Sequence, residues 1–207
     1  MAEILGSMLG TVAALRRYPV KSMLGEDVSA SDVTRAGLAG DRCLAVVSRE
    51  TGKIASAKYP RLWRGLLTMS ASAAGDAVRI TLPDGRTVRS ADADAVLSAL
   101  LDQPVRLTAT PPPGASLDRA VPEAVLRDGV GAQVPATITE IAAGAPAGTF
   151  FDFAPVHLLT TSTLDRVARL SPRHQADPER YRPNIVVRTE AEGCTGTCAS
   201  ATSLSSG

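Results

Sequence analysis

The sequence predicts a β-rich α+β protein, and three observations carry that prediction. From about Leu9 to Thr108 short apolar runs alternate with turn signals, with little helical period before Asp92. An Asp84-Gly85 pair separates two of these runs, which is a hairpin signal. After Phe150 the same grammar returns, as an apolar strand, a helix and a second strand.

Taken in order, Cys43 to Ser48, Leu66 to Ser72, Val78 to Leu82 and Thr87 to Arg89 are strand candidates, the last two joined by a two-residue turn. Asp92 to Leu101 then places Val96, Leu97, Leu100 and Leu101 on one helical face, with Asp92 or Ser90 as the cap. Residues 109–148 are rich in Pro, Gly and Ala without a period, the composition of a connector. Order resumes with Phe150-Phe151-Asp152-Phe153, a strand from Val156 to Thr160, and a helix whose Leu164, Val167 and Ala168 share a face. Ser162 and Asp165 have the spacing of a capping box. Arg182-Pro183-Asn184 leads into a last strand, Ile185 to Val187. Aromatic residues make up only 3% of the chain, so Val, Leu and Ala must fill the core, with Trp63 among them.

Composition narrows the function classes. With 207 residues and 44% hydrophobic content, the chain can bury a sizeable core. Lys and Arg total 22 against 21 Asp and Glu, so overall charge gives no reason to expect a nucleic-acid or membrane-surface partner. No run approaches the roughly 20 apolar residues of a membrane span, and the expectation is a cytoplasmic protein. Cys43, Cys194 and Cys198 are an odd, scattered set that does not suit a disulfide framework. Cys194 and Cys198 lack the second pair of ligands that a tetrahedral zinc site needs, so no metal ligand is assigned.

Three distant segments each set a basic group beside a hydrogen-bonding residue: Tyr18-Pro19-Val20-Lys21-Ser22, Gly40-Asp41-Arg42 and Arg182-Pro183-Asn184. Charge alone admits two readings, an anion pocket assembled by folding or solvated surface charge. Lys58 and Arg61 either add to the positive field or sit at a solvated edge. His157 reads as a satisfied core histidine in an apolar strand, and Asp152 as an orienter of a neighbouring Arg or a surface residue.

The ordered set YPVKSM, GLAGDR, SAKYPRL, FxDxxPVHLLTTSTL and RYRPNIVV resembles the MOSC family over residues 9–190. The resemblance implies an N-terminal β-barrel-like domain over 9–108, a connector over 109–148, and over 149–190 the start of an incomplete MOSC β-barrel. It also implies a molybdenum cofactor (molybdopterin) whose phosphate is held by Lys21, Ser22 and Arg42, with Arg182, Asn184 and the loop Thr160, Thr161, Ser162 and Thr163 on the MOSC side. A phosphate dianion needs charge-assisted donors, and a pterin edge pairs with amide and hydroxyl groups. Asn184 and the Ser/Thr run have plainer readings as turn and helix caps. The family resemblance further implies an oxidoreductase that cleaves N–O bonds with electrons from a separate donor protein. Alternatives are a sulfur-carrier domain akin to those of molybdenum-cofactor sulfurases, or a non-catalytic or defective cofactor-binding fragment. Pyridoxal phosphate attaches to the family only through another domain.

The family's metal thiolate is expected beyond RPNIVV, in an Arg-Cys motif, and the chain instead continues EGCTGTCASATSLSSG, a run of small residues without apolar period. Residues 191–207 thus read as an aberrant or disordered tail, and the abrupt loss of pattern points to a change of reading frame near Cys194. Genomic DNA downstream of Gly193 is expected to encode an Arg-Cys pair within about one domain length; resequencing that upholds the present frame would remove this idea.

Overall fold

In the computed structural model, residues 10–142, 145–146, 148–171 and 176–189 are described. The tail containing Cys194 and Cys198, and His174, lie outside the described residues. The chain begins with β1 (Thr11–Arg17), β2 (Glu26–Val28), β3 (Val33–Thr34), β4 (Gly37–Leu38) and β5 (Ala45–Ser48). A one-turn helix α1 (Pro60–Trp63) precedes the hairpin strands β6 (Ser70–Ala74), β7 (Ala77–Thr81) and β8 (Thr87–Arg89). Helix α2 (Ala93–Leu101) and strand β9 (Val105–Thr108) follow, then β10 (Ser116–Ala120), α3 (Pro122–Asp128) and β11 (Ala136–Glu140). The chain closes with β12 (Leu158–Thr160), α4 (Thr161–Leu170), α5 (Pro178–Tyr181) and β13 (Ile185–Arg188).

The strands form a four-stranded sheet in the order β12-β13-β1-β2, a three-stranded sheet β6-β7-β8, and the pairs β3-β4, β5-β9 and β10-β11. Isolated bridges Val20–Leu44 and Leu24–Ser70 tie the segment after β1 to these sheets, and among the described residues no sheet closes on itself. β1 pairs antiparallel with β13, and β12 runs parallel to β13, so the two ends of the described chain share one sheet.

The main core lies between the hairpin sheet and α2, where Leu66, Met69, Ile80, Leu97 and Val105 pack with Val20, Met23 and Trp63. The β7 alternation explains this, since Ile80 faces inward while Arg79 and Thr81 flank it on the other face. A second cluster joins Ala45, Val47 and Ile54 to Leu117 and Phe150.

Several local expectations change. Leu66–Ser72 is not one strand: Arg64–Thr68 winds as a 3₁₀ helix and the strand begins at Ser70. Adjacent Leu66 and Leu67 break a period of two, and the turn buries Leu66 while Leu67 faces out. The Asp84-Gly85 hairpin closes between Leu82 and Arg86, so Pro83-Asp84-Gly85 is a three-residue loop, with Gly85 at φ +83°. A 3₁₀ turn over Ser90–Asp92 leads into α2, and Asp92 makes no side-chain cap. The Pro/Gly/Ala-rich stretch contains β10, α3 and β11, held by a five-residue antiparallel register.

Leu97 is fully buried at the centre of the main core. Leu97→Ala is expected to lower unfolding free energy by about 2–5 kcal/mol in urea titrations; a loss below about 1 kcal/mol would show that this core does not depend on α2.

Candidate functional site

The site is built where the segment after β1 meets the turn before β5. Tyr18 carbonyl accepts from Arg42 N–H, Pro19 carbonyl from Leu44 N–H, and Leu44 carbonyl from Lys21 N–H, a ladder that sets Lys21 and Arg42 side by side. Tyr18 N–H donates to the buried Asp41 carboxylate at 2.7 Å, fixing the turn that presents Arg42. Gly37 sits so close to Pro155 that a Cβ would lie 2.3 Å from its carbonyl oxygen, so this approach requires glycine.

Lys21 crosses from this ladder to the segment before β12. Its Nζ donates to Phe150 O at 2.9 Å and to Asp152 Oδ1 at 2.6 Å, and only 3% of the residue is exposed. Lys58 Nζ reaches the second carboxylate oxygen, Asp152 Oδ2, at 3.0 Å. From the other side Arg182 donates to Met23 O and stacks on the Tyr18 ring at 4.4 Å, while Arg42 pairs with Asp41 and lies 5.3 Å from the same ring centroid and 5.5 Å from that of Phe151. Tyr18 hydroxyl donates to Pro183 O, which anchors the RPN turn against the ladder.

These groups surround one cavity of about 270 Å³, lined by Lys21, Ser22, Arg42, Lys58, Asp152 and Arg182, with His157, Leu67 and Tyr181 at its wall. Three of its residues, Ser22 (φ 68°), Arg42 (φ 47°) and Arg182 (φ 53°), occupy the left-handed region. Such strain in non-glycine residues persists only where the surroundings over-determine it, and it gathers at ligand sites. Ser22 Oγ accepts from Ala57 N–H at 3.2 Å, which holds the Lys58 loop to the cavity.

The electrostatics follow from burial. Desolvation pulls the Lys21 pKa down to about 8 against the opposing pull of Asp152. Burial and the nearby Arg42 charge bring Arg182 down to about 10, so it stays charged at neutral pH. Burial pushes the Asp152 carboxyl up, but Lys21 and Lys58 outweigh that and hold it below the ordinary carboxylate range. Because the folded state sheds the Lys21 proton before the unfolded state does, this group favours folding increasingly as pH rises from about 8 toward 10.5.

The structure therefore brings together Lys21, Ser22, Arg42 and Arg182, and leaves Asn184 and Thr160–Thr163 outside the cavity lining. Buried Asn184 joins three segments: its Oδ1 accepts from His157 N–H, its Nδ2 donates to Arg16 O, and its backbone bonds to both residues. The hydroxyl run caps α4, because Thr160 Oγ1 accepts from Thr163 N–H, and it binds onward through Ser162 and Thr161 to Thr189. Thr160, not Ser162, is the cap, and Ser162 lies inside the first turn. His157 is exposed and borders the cavity, contrary to the core reading; it lies just before β12, whose first residue Leu158 is exposed as well. Arg61 lines a different cavity with Arg64, whereas Lys58 lines this one. Asp152 orients two lysines, not an arginine, and Tyr18 is the shared base of both arginines; the FxD spacing and the Tyr in YPVKS were the available signals.

The molecule is a strand-rich α+β protein whose cation-lined cavity joins its N-terminal strands to a later segment. Residues 9–109 match the family model of the MOSC N-terminal beta barrel domain, a match that supports membership of the MOSC family. No curated protein matches the chain. Among the described residues no group of His, Cys, Asp and Glu is arranged to hold a metal ion, and no helix is long and apolar enough to cross a membrane. Cys43 lies at the surface beside a neighbouring cavity, its thiol donates to Pro19 O, and burial pushes its pKa up. Among the described residues no thiol lines the cation-lined cavity.

Removing the Asn184 side chain strands His157 N–H and Arg16 C=O. Asn184→Ala is expected to destabilise the fold by about 2 kcal/mol or more in urea denaturation, and to leave anion affinity within about twofold wherever the variant is folded; a tenfold loss of affinity at intact stability would return Asn184 to the ligand set.

Proposed function

We propose that this protein binds the molybdenum cofactor through its phosphate, as a MOSC-family cofactor protein. The observation that carries the reading is the single cavity shared by Lys21, Ser22, Arg42, Lys58 and Arg182. Four cationic groups face it against one lining carboxylate, Asp152, and the Arg42 partner Asp41 lies behind it, which leaves a surplus that suits a dianion.

Each residue has a role in holding such a group. Lys21 supplies a point charge from a dry wall, where electrostatic attraction is least screened. Arg42 and Arg182 supply planar forks held in place by the Tyr18 and Phe151 rings, so little rotamer entropy is lost on binding. Ser22 adds a hydroxyl, and Leu67 with Tyr181 offers apolar surface to a ring. The cofactor, when bound, would supply the redox chemistry, which by family resemblance is reduction of N-oxygenated compounds with electrons from a separate protein. A second reading, a phosphate-binding module without catalysis, is favoured by the lack of a cavity thiolate among the described residues.

Calorimetric titration with sulfate, which stays a dianion across the range, tests the cavity. Arg182→Gln is expected to weaken sulfate binding by about tenfold or more, and wild-type affinity should fall as pH rises through about 8, where Lys21 loses its proton. Affinity indifferent both to the substitution and to pH would reject the anion site. Retention of molybdenum with turnover of an N-hydroxy substrate separates the enzyme from the module.

A further inference from the structure

The four cations of the cavity are held in two different ways. Arg42 rests on buried Asp41 and Arg182 on Met23 O and the Tyr18 ring, partners that lie behind the cavity wall. Lys21 and Lys58, from separate segments, instead share one carboxylate within the lining itself, with Asp152 Oδ1 2.6 Å from one Nζ and Oδ2 3.0 Å from the other. One oxygen on each of two ammonium groups is the arrangement in which a tetrahedral oxyanion would also engage them.

The three side chains differ in freedom. Lys21 is 4% exposed and bound also to Phe150 O, whereas Asp152 and Lys58 side chains are 40% and 35% exposed. Phe153 and Ala154, which follow Asp152, are exposed, so turning Asp152 outward displaces no core residue. Lys21 without an acidic partner would leave a charge in a dry site, which is costly, and Asp152 answers that cost for as long as it stays in place.

Resting on the anion-cavity reading, we infer that Asp152 holds Lys21 and Lys58 in the place of the ligand's oxyanion and yields both lysines when that oxyanion binds. The carboxylate is then a competitor built into the site. It keeps the lysines aligned and sets the affinity below what the cations alone would give.

The test uses the full chain with sulfate as probe, at a pH well below the Lys21 value of about 8, because Asp152→Asn removes the charge that opposes desolvation of this amine and Lys21 must stay protonated in both proteins. Asp152→Asn is expected to bind sulfate about fivefold more tightly than wild type, and in wild type the Asp152 carboxyl ¹³C resonance is expected to move toward that of a solvated carboxylate, saturating with the calorimetric Kd. Equal or weaker binding by the folded variant overturns the inference, as does a resonance that stays put while sulfate binds. Should Asp152→Asn fail to fold, the wild-type resonance decides alone. If neither folded protein takes up sulfate, the anion-cavity reading fails and this inference with it; if both bind with equal affinity, only the competitor role is lost.

Discussion

A single buried ammonium group organises this molecule. Lys21 leaves a tight ladder after β1 and finds its partners at Phe150 and Asp152, well over one hundred residues further along the chain. An amine so enclosed is tolerable only with a carbonyl and a carboxylate in reach, so the segment before β12 has to pack where it does. The second core cluster follows the same route, since Phe150 is both the acceptor for Lys21 and the apolar partner of Ala45, Val47 and Ile54. Charge and packing specify one register between the two halves of the sequence.

Around that anchor the backbone takes on local strain at three cavity residues, Ser22, Arg42 and Arg182, each in the left-handed region without being glycine. Ser22 Oγ ties the Lys58 loop, Arg42 N–H completes the ladder to Tyr18, and Arg182 N–H closes the α5 turn by donating to the Pro178 and Glu179 carbonyls. Each distortion is held by hydrogen bonds on both sides, and each aims a polar group at the same space. A surface of independent solvated charges has no reason to carry such strain.

Much of this was legible in the residues. Arg182 stands next to Pro183, and Lys21 and Arg42 each follow a proline or glycine by two residues, Pro19 and Gly40, in short segments that interrupt the strands. The β-rich class followed from short apolar runs, and α2 from its apolar spacing. What escaped depends on contacts distant in sequence. Asn184 and Thr160–Thr163 left two readings open in the sequence because amide and hydroxyl groups serve a ligand or the backbone equally well, and in the structure they hydrogen-bond within the protein, Asn184 to His157 N–H and Thr160 to Thr163 N–H. His157 was read as part of the apolar strand, but it lies just before β12 and is exposed, as is Leu158 after it. The Pro-rich stretch lacks a period because β10 and β11 are stabilised by each other and by Leu117 in the second core, not by local pattern.

The sheet order β12-β13-β1-β2 has an implication for what counts as a folding unit. Similarity to the MOSC N-terminal domain runs over residues 9–109, yet β1 finds a hydrogen-bonding neighbour in β13 and Lys21 finds its counter-charge at Asp152, both beyond that limit. Cut at residue 109, the N-terminal piece would lose both acceptors of Lys21, Phe150 O and Asp152, and bare one side of its first strand. The border drawn by family likeness therefore cuts across one sheet and one buried ion pair, so the strand and the charge on its near side are completed by residues on its far side.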